Sequence, residues 1–247
     1  MTLKILGIIP ARFASTRFLG KPLADIKGKS MIMRVVEQAR KCKWLEDVVV
    51  ATDDQRIADH VANFGGRVVM TSANHLTGTD RCLEALQKLN ERYDAVINVQ
   101  GDEPFVDPAL IESIAVQISL PSIMIVTLAK RINDEQTLHD PNKVKVVITK
   151  MGQALYFSRQ AIPFLKGETK DWHKHFPFYK HIGLYAYKTV VLERIGKLEP
   201  SALERAESLE QLRWMENGIR IHVVRTEIET PSIDTPEDLQ RVLESMK

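Results

Sequence analysis

The strongest constraint on the fold is a pattern of five short apolar runs, at residues 3–9, 48–51, 67–70, 95–99 and 123–129, each bounded by polar residues, glycine or proline. Runs of this length without polar alternation read as strands buried on both faces. Segments with helical spacing lie between them. Met31, Val35, Val36 and Ala39 make one apolar face, Ile57, Val61 and Ala62 a second, and Leu83, Leu86 and Leu89 a third. A helix over 109–118 opens on Asp107 as N-cap with Pro108 in its first turn. Strand and helix alternate, which predicts an α/β fold with a mainly parallel, mixed central sheet.

Past residue 140 the alternation fails. Strands are expected at 144–149 and 154–157, followed by a stretch over 164–180 rich in Lys, His, Phe and Pro. Residues from about 150 to 190 read as an insertion extending from the main sheet, placed to supply a subunit contact or part of a pocket. Alternation then returns with a helix over 208–217 closed by Gly218, a strand over 221–225, and a last helix opened by Thr235, Pro236 and Glu237. The expectation is one domain over 1–247 that carries the inserted region.

Composition removes several classes of function. At 247 residues the chain can bury a sizeable core without disulfides or structural metals, and 44% hydrophobic with 27% charged residues is not the composition of a disordered chain. The most apolar stretch, 114–129, is interrupted by Gln117, Ser119, Pro121 and Ser122, and falls short of the roughly 20 residues a membrane span requires. The run 5–9 is cut off by Pro10 and Arg12, unlike a signal peptide. Lys and Arg exceed Asp and Glu by only 34 to 32, so no nucleic-acid partner is expected and any basic site is local. Cys42 and Cys82 lie far apart with no CxxC spacing, which fits buried, reduced thiols and a cytoplasmic protein.

In open α/β sheets ligands bind at the carboxyl ends of the strands, so the turns after the strands carry the chemistry. The first such turn, 10–22, gathers Arg12, Arg17 and Lys21 with two hydroxyls and Gly20 in one loop. Three cations directly after a buried strand repel one another unless an anion lies among them, and the loop suits a polyphosphate. It is not a P-loop: Ser15 stands where the first glycine is required, and Pro22 follows Lys21 where Ser or Thr should hold a metal. The fourth strand runs into Asn98, Val99, Gln100, Gly101, Asp102, Glu103 and Pro104. A carboxylate there, facing the phosphate loop, is placed for Mg²⁺ to bridge protein and phosphate. Asp102 is the expected ligand, since adjacent side chains point in different directions and Asp102 and Glu103 do not both face it. Between these turns, residues 77–81 offer hydroxyls, a glycine and Arg81 to a ribose or base edge. Asp53 reads as the N-cap of the helix carrying Arg56, and Asp234 most simply as the N-cap of the last helix. His173 and His175, two apart in a loop, make a poor zinc site.

Taken in order, the segments IPARFASTRFLGKPL, ATDDQRI, TGTDR, NVQGDEP, DPNKVKVV, YFSRQAIP, HIGLYAY, ESLEQLRWMENG and IDTPEDL closely resemble the 3-deoxy-manno-octulosonate (KDO) cytidylyltransferases, over nearly the whole chain. The resemblance implies a Rossmann-like nucleotidyltransferase fold, dependence on Mg²⁺, a homodimer, and the conversion of CTP and KDO to CMP-KDO and pyrophosphate for lipopolysaccharide assembly. By motif, Arg12, Ser15, Arg17 and Lys21 belong to the triphosphate loop, with Lys21 nearest the developing charge, and Asp102 and Asp234 hold the metal. Pro10, Thr79, Arg81 and Gln100 line the cytidine site, while Arg159, His181, Tyr185, Glu210 and Gln211 contact the sugar acid. One departure is Phe18-Leu19, where the family usually has Leu-Pro; its loss frees the loop's backbone but removes no charge.

Three other functions share parts of this pattern. A cytidylyltransferase for another 2-keto-3-deoxy sugar acid, such as a sialic acid, keeps the nucleotide half, and the C-terminal segments argue against it. A metal-dependent glycosyltransferase carries a DxD-type motif, which is missing at the strand end. A non-catalytic nucleotide-binding protein keeps the phosphate loop and has no need of paired metal carboxylates.

Overall fold

The first apolar run is the middle of the sheet. In the computed structural model, which describes residues 3–14, 17–168 and 170–245, it forms β1 (Ile5–Ala11). There follow β2 (Asp25–Ile26), β3 (Lys29–Ser30), α1 (Met31–Ala39), β4 (Leu45–Thr52), α2 (Gln55–Asn63), β5 (Arg67–Met70), α3 (Gly78–Lys88), β6 (Ala95–Asn98), α4 (Pro108–Ile118) and β7 (Ile125–Arg131). The second half adds α5 (Glu135–His139), β8 (Lys145–Ile148), β9 (Ala154–Ser158), α6 (Trp172–His175), β10 (Tyr179–Lys188), α7 (Thr189–Ile195), α8 (Ala202–Glu207), α9 (Gln211–Glu216), β11 (His222–Thr226) and α10 (Pro236–Ser245).

The sheet order is β11-β7-β10-β6-β1-β4-β5, with β8 and β9 continuing from β10. Neighbours β6, β1, β4 and β5 are parallel, as are β7 and β11, while β10 runs antiparallel between β6 and β7. The mixed, mainly parallel α/β sheet expected from the alternation is therefore present. Its two faces separate by period two along β1: Ile5 and Ile9 pack with α1, α2 and α4, whereas Leu6 and Ile8 pack with α3, α7 and α9. All four are fully buried, each worth about 1.5–3 kcal/mol of transfer free energy. The chain leaves β1 toward β4 and β5, then returns to β6 on the other side, so a switch point opens at the carboxyl ends of β1 and β6.

Several local expectations change. The helix expected over 208–217 is two helices, α8 and α9, broken at Ser208, whose φ of 51° is left-handed and incompatible with continuing the turn. α2 is capped by Asp54, one residue after the expected Asp53; the Asp54 carboxylate accepts from the Arg56 N–H at 3.0 Å. Nor does Asp234 cap α10: the Thr235 hydroxyl accepts from the Asp238 N–H at 3.2 Å and the Asp238 carboxylate accepts from the Thr235 N–H at 2.9 Å. Within the segment 150–190, β9 projects from the sheet with β8, but β10 runs through its middle and pairs with both β6 and β7.

Candidate active site

Everything placed at the switch point depends on how the loop after β1 is held. Gly20 adopts a φ of 69°, its N–H donates to the Phe13 carbonyl at 3.0 Å, and a Cβ there would press on the Phe13 ring at 3.0 Å. The Arg56 guanidinium lies over the same ring, 3.4 Å from its centroid, and Asp54 holds Arg56 through two bonds of 2.9 and 2.7 Å. Phe18 packs with Ile26, Met31 and Ile233. Phe18 thus fastens the loop to the segment preceding Asp234, while Leu19 is exposed.

Behind the loop, Gly101 passes so close to β1 that a Cβ would lie 2.7 Å from the Pro10 carbonyl oxygen. This approach brings Asp102 to Lys21, whose ammonium donates to Asp102 Oδ2 at 2.8 Å and to Asp234 Oδ1 at 3.3 Å. Arg17 donates to the same Asp234 oxygen at 3.0 Å, and the Ile233 N–H donates to the Asp102 carbonyl at 3.1 Å. Two carboxylates 132 positions apart in the chain therefore converge on one cation. Glu103 turns to the other side of the ridge; its Oε2 is buried with no hydrogen-bond partner among the described residues, and burial, with Asp102 and Asp234 nearby, pushes its carboxyl up to about 7.

A cavity of about 240 Å³ lies in front of this cluster and is lined by Pro10, Arg12, Arg17, Lys21, Gly78, Arg81, Gln100 and Asp102. Arg12 and Arg17 are exposed there. Arg81 is buried, donating to the Thr71 hydroxyl at 2.6 Å and pairing with Asp53 at 3.4 Å, so Asp53 serves as its counter-ion. Ser15 lies outside the described residues. Leu76, 88% exposed, and His75 stand at the same cavity on the turn before α3.

The residues expected to meet the sugar are distributed more widely. Glu210 accepts from the Thr79 hydroxyl at 2.9 Å and the Thr77 hydroxyl at 3.2 Å, joining the start of α9 to the start of α3, and burial pushes it up to about 7. Gln211 is buried beside it with no partner for Nε2 among the described residues, and Tyr185 is buried against Trp214, 5.2 Å between centroids. Gln100 Nε2 donates to the Gly183 carbonyl at 2.9 Å, where β10 shifts register against β7. His181 faces a second cavity of about 750 Å³, behind the carboxylate ridge, with Glu103, Lys180, Glu229 and Asp234 also in its walls. Arg159 lines neither cavity and is anchored at the end of β9. His173 and His175 have separate partners, Glu135 at 3.1 Å and Glu168 at 3.6 Å, although Glu135, Asp171 and His173 lie close enough together to form a group of metal-binding type. Sequence reasoning passed over the Phe13–Arg56 contact and set Glu103 aside as a ligand without expecting its burial; the aromatic next to Arg12 and the second acid after Gly101 were the available signals.

His181 Nε2 lies 2.9 Å from the Thr127 hydroxyl, whose own proton is directed at the carbonyls of Ile182 and Leu184. The ring nitrogen therefore donates, fixing the Nε2–H tautomer. Burial lowers the His181 pKa from 6.5 to about 3. With a depressed folded pKa, its contribution to stability is fully present above pH 6.5 and declines as pH falls toward 3. Melting temperatures of wild type and His181→Asn measured across that window should converge as pH falls. Parallel curves would show that the ring does not titrate on unfolding.

Comparison with known proteins gives a consistent set of relatives. A family model described as cytidylyltransferase matches residues 6–221. A 3-deoxy-manno-octulosonate cytidylyltransferase of Cytophaga hutchinsonii is 54% identical over 242 residues, covering 97% of this chain and 96% of that protein. One of the same name from Parabacteroides distasonis is 54% identical, covering 98% of this chain and 97% of that protein. Among solved structures, CMP:2-keto-3-deoxy-manno-octonic acid synthetase complexed with CTP superposes with a TM-score of 0.91 at 40% identity, covering 98% of each chain.

Proposed function

The chain belongs to the cytidylyltransferase family, and on that premise we propose that it transfers CMP from CTP to KDO, giving CMP-KDO and pyrophosphate. The observation that carries this reading is the convergence of Asp102 and Asp234 on Lys21, where Lys21 and Asp102 line a cavity together with Arg12 and Arg17 at the switch point of the sheet and Asp234 closes it from behind, in the wall of the second cavity. A triphosphate entering there meets three cations, and Lys21, with only 13% of its side chain exposed, is the one held most rigidly. Mg²⁺ belongs to the same proposal. The donor set fits it: two hard carboxylates already share one cation, and the buried Glu103 oxygen behind them lacks a partner. Asp102 and Asp234 would hold the ion, which supplies neutralisation of phosphate charge and acidification of the attacking hydroxyl.

The protein's own groups orient the reaction. Arg12, Arg17 and Lys21 fix the phosphates for in-line attack by the anomeric hydroxyl on the α-phosphorus, and Lys21 stabilises charge developing toward the leaving pyrophosphate. Pro10, Thr79, Arg81 and Gln100 take the cytidine; Arg159, His181, Tyr185, Glu210 and Gln211 take the sugar acid, its carboxylate on Arg159. A homodimer built through the 150–190 region is part of the reading, supported by exposed Met151, Leu155 and Phe164. So are a cytoplasmic location and a place in lipopolysaccharide assembly. No helix among the described residues is long and apolar enough to cross a membrane.

The test is pyrophosphate release with CTP, KDO and Mg²⁺ together. Turnover is expected only when all three are present. Turnover with a sialic acid and none with KDO would overturn the sugar assignment, and release from CTP alone would make the protein a pyrophosphohydrolase.

A further inference from the structure

The end of β9 is gripped from both sides of its backbone. Ser158 is buried, and its hydroxyl donates to Glu207 Oε1 at 2.6 Å, while the Arg159 N–H donates to Glu207 Oε2 at 2.9 Å. On the opposite side the Arg159 carbonyl accepts from the ammonium of Lys145, which also donates to the Asp140 carbonyl at 2.9 Å. Lys145 is fully buried, and burial pulls its pKa down, yet both groups it touches are neutral carbonyls. A buried ammonium is costly to maintain, so two carbonyls are held here at a real expense in desolvation.

The guanidinium that this backbone presents is treated in the same way. Nε donates to the Glu207 carbonyl at 2.7 Å, Nη1 to the Pro141 carbonyl at 3.1 Å and Nη2 to the Ser208 carbonyl at 3.3 Å. Three of its five N–H groups are thereby fixed, and among the described residues one on each terminal nitrogen is left over and none meets a carboxylate. Glu207, the acid next to it, has both oxygens on Ser158 and the Arg159 backbone. The arginine is immobilised while its charge stays uncancelled, which is what recognition of a small carboxylate requires. Ser208, in its left-handed conformation, breaks α8 from α9 two residues before Glu210, so the same grip sets where Glu210 and Gln211 begin.

We propose that Glu207 and Lys145 are positioning residues for the sugar acid, holding Arg159 by its N–H and its carbonyl so that two free N–H groups face the substrate carboxylate. The proposal rests on the reading that Arg159 meets the sugar. Glu207→Gln keeps the shape but turns an amide N–H toward one of two donors, and Lys145→Met keeps the stem without the ammonium. Each is expected to raise the KM for KDO by about tenfold, the scale of one lost charge-assisted hydrogen bond, with kcat and the KM for CTP within about twofold of wild type. In an Arg159→Ala background Glu207→Gln should add little further, because both changes remove the same contact.

Steady-state kinetics of the four proteins in both substrates, with melting temperatures alongside, decide the matter. Should Arg159→Ala raise the KM for KDO while Glu207→Gln and Lys145→Met leave it at the wild-type value, the positioning proposal fails and the sugar site stands. An unchanged KM for KDO in Arg159→Ala itself removes the arginine from the sugar site. Equal changes in both KM values, following a drop in melting temperature, would make Glu207 and Lys145 purely structural and overturn the proposal. Glu207→Gln, at a partly exposed position, remains a test if Lys145→Met does not fold.

Discussion

Lys21→Ala is expected to lower turnover by about 10²-fold or more, because a preorganised cation beside reacting phosphates is worth several kcal/mol where water is scarce. The expectation has a geometric basis. The ammonium is already aimed at the cluster, 2.8 Å from Asp102 and 3.3 Å from Asp234, and its stem is fixed by the short turn over Lys21–Leu23 that Gly20 makes possible. Folding should change little, since both acids are about a third exposed and water screens such pairs to roughly 0–1 kcal/mol. Pyrophosphate release, circular dichroism and melting together separate the two effects. Wild-type turnover in a folded variant removes Lys21 from the mechanism.

The second large effect concerns the two acids as a unit. A triphosphate brings more negative charge than Arg12, Arg17 and Lys21 balance while Asp102 and Asp234 stand beside it, so in the proposed reaction the two acids would share a divalent ion. Asp102→Asn or Asp234→Asn should each cut turnover by about 10²-fold and raise the Mg²⁺ concentration needed for half-maximal rate. The double variant should fall well short of the product, because each single change already breaks the same site. Titrating Mg²⁺ against rate for the three variants checks this. Asp234→Asn with unchanged metal dependence would leave Asp234 as no more than the partner of Arg17 and Lys21.

Elements specified by local pattern were legible in the sequence, and those specified by contacts at a distance were not. The apolar runs that became β1, β4, β5, β6 and β7 needed only periodicity and flanking polar residues. Asp107 and Pro108 start α4 as expected because both signals act within one turn. By contrast β10 enters the middle of the sheet through pairing with β6 and β7, strands remote in sequence, and its mixed composition carries no mark of that position. The break at Ser208 coincides with Arg159 contacts to the Glu207 and Ser208 carbonyls and is marked by no glycine or proline, so the pattern over 208–217 still read as one helix. Asp234 shows the same limit at the site: locally it looked like a cap, and only the fold brings Arg17 and Lys21 to it while Thr235 does the capping.

Central to the proposed reaction is one metal-binding centre made by the phosphate loop and two acids 132 positions apart in the chain. Anomalous scattering from crystals grown with Mn²⁺ and CTP tests it most directly. A peak bridging Asp102 and Asp234 to triphosphate oxygens is expected, with Lys21 turned onto the phosphates, and with loss of that peak in Asp102→Asn. A metal bound to the triphosphate alone, or found only at Glu135, Asp171 and His173, would contradict it.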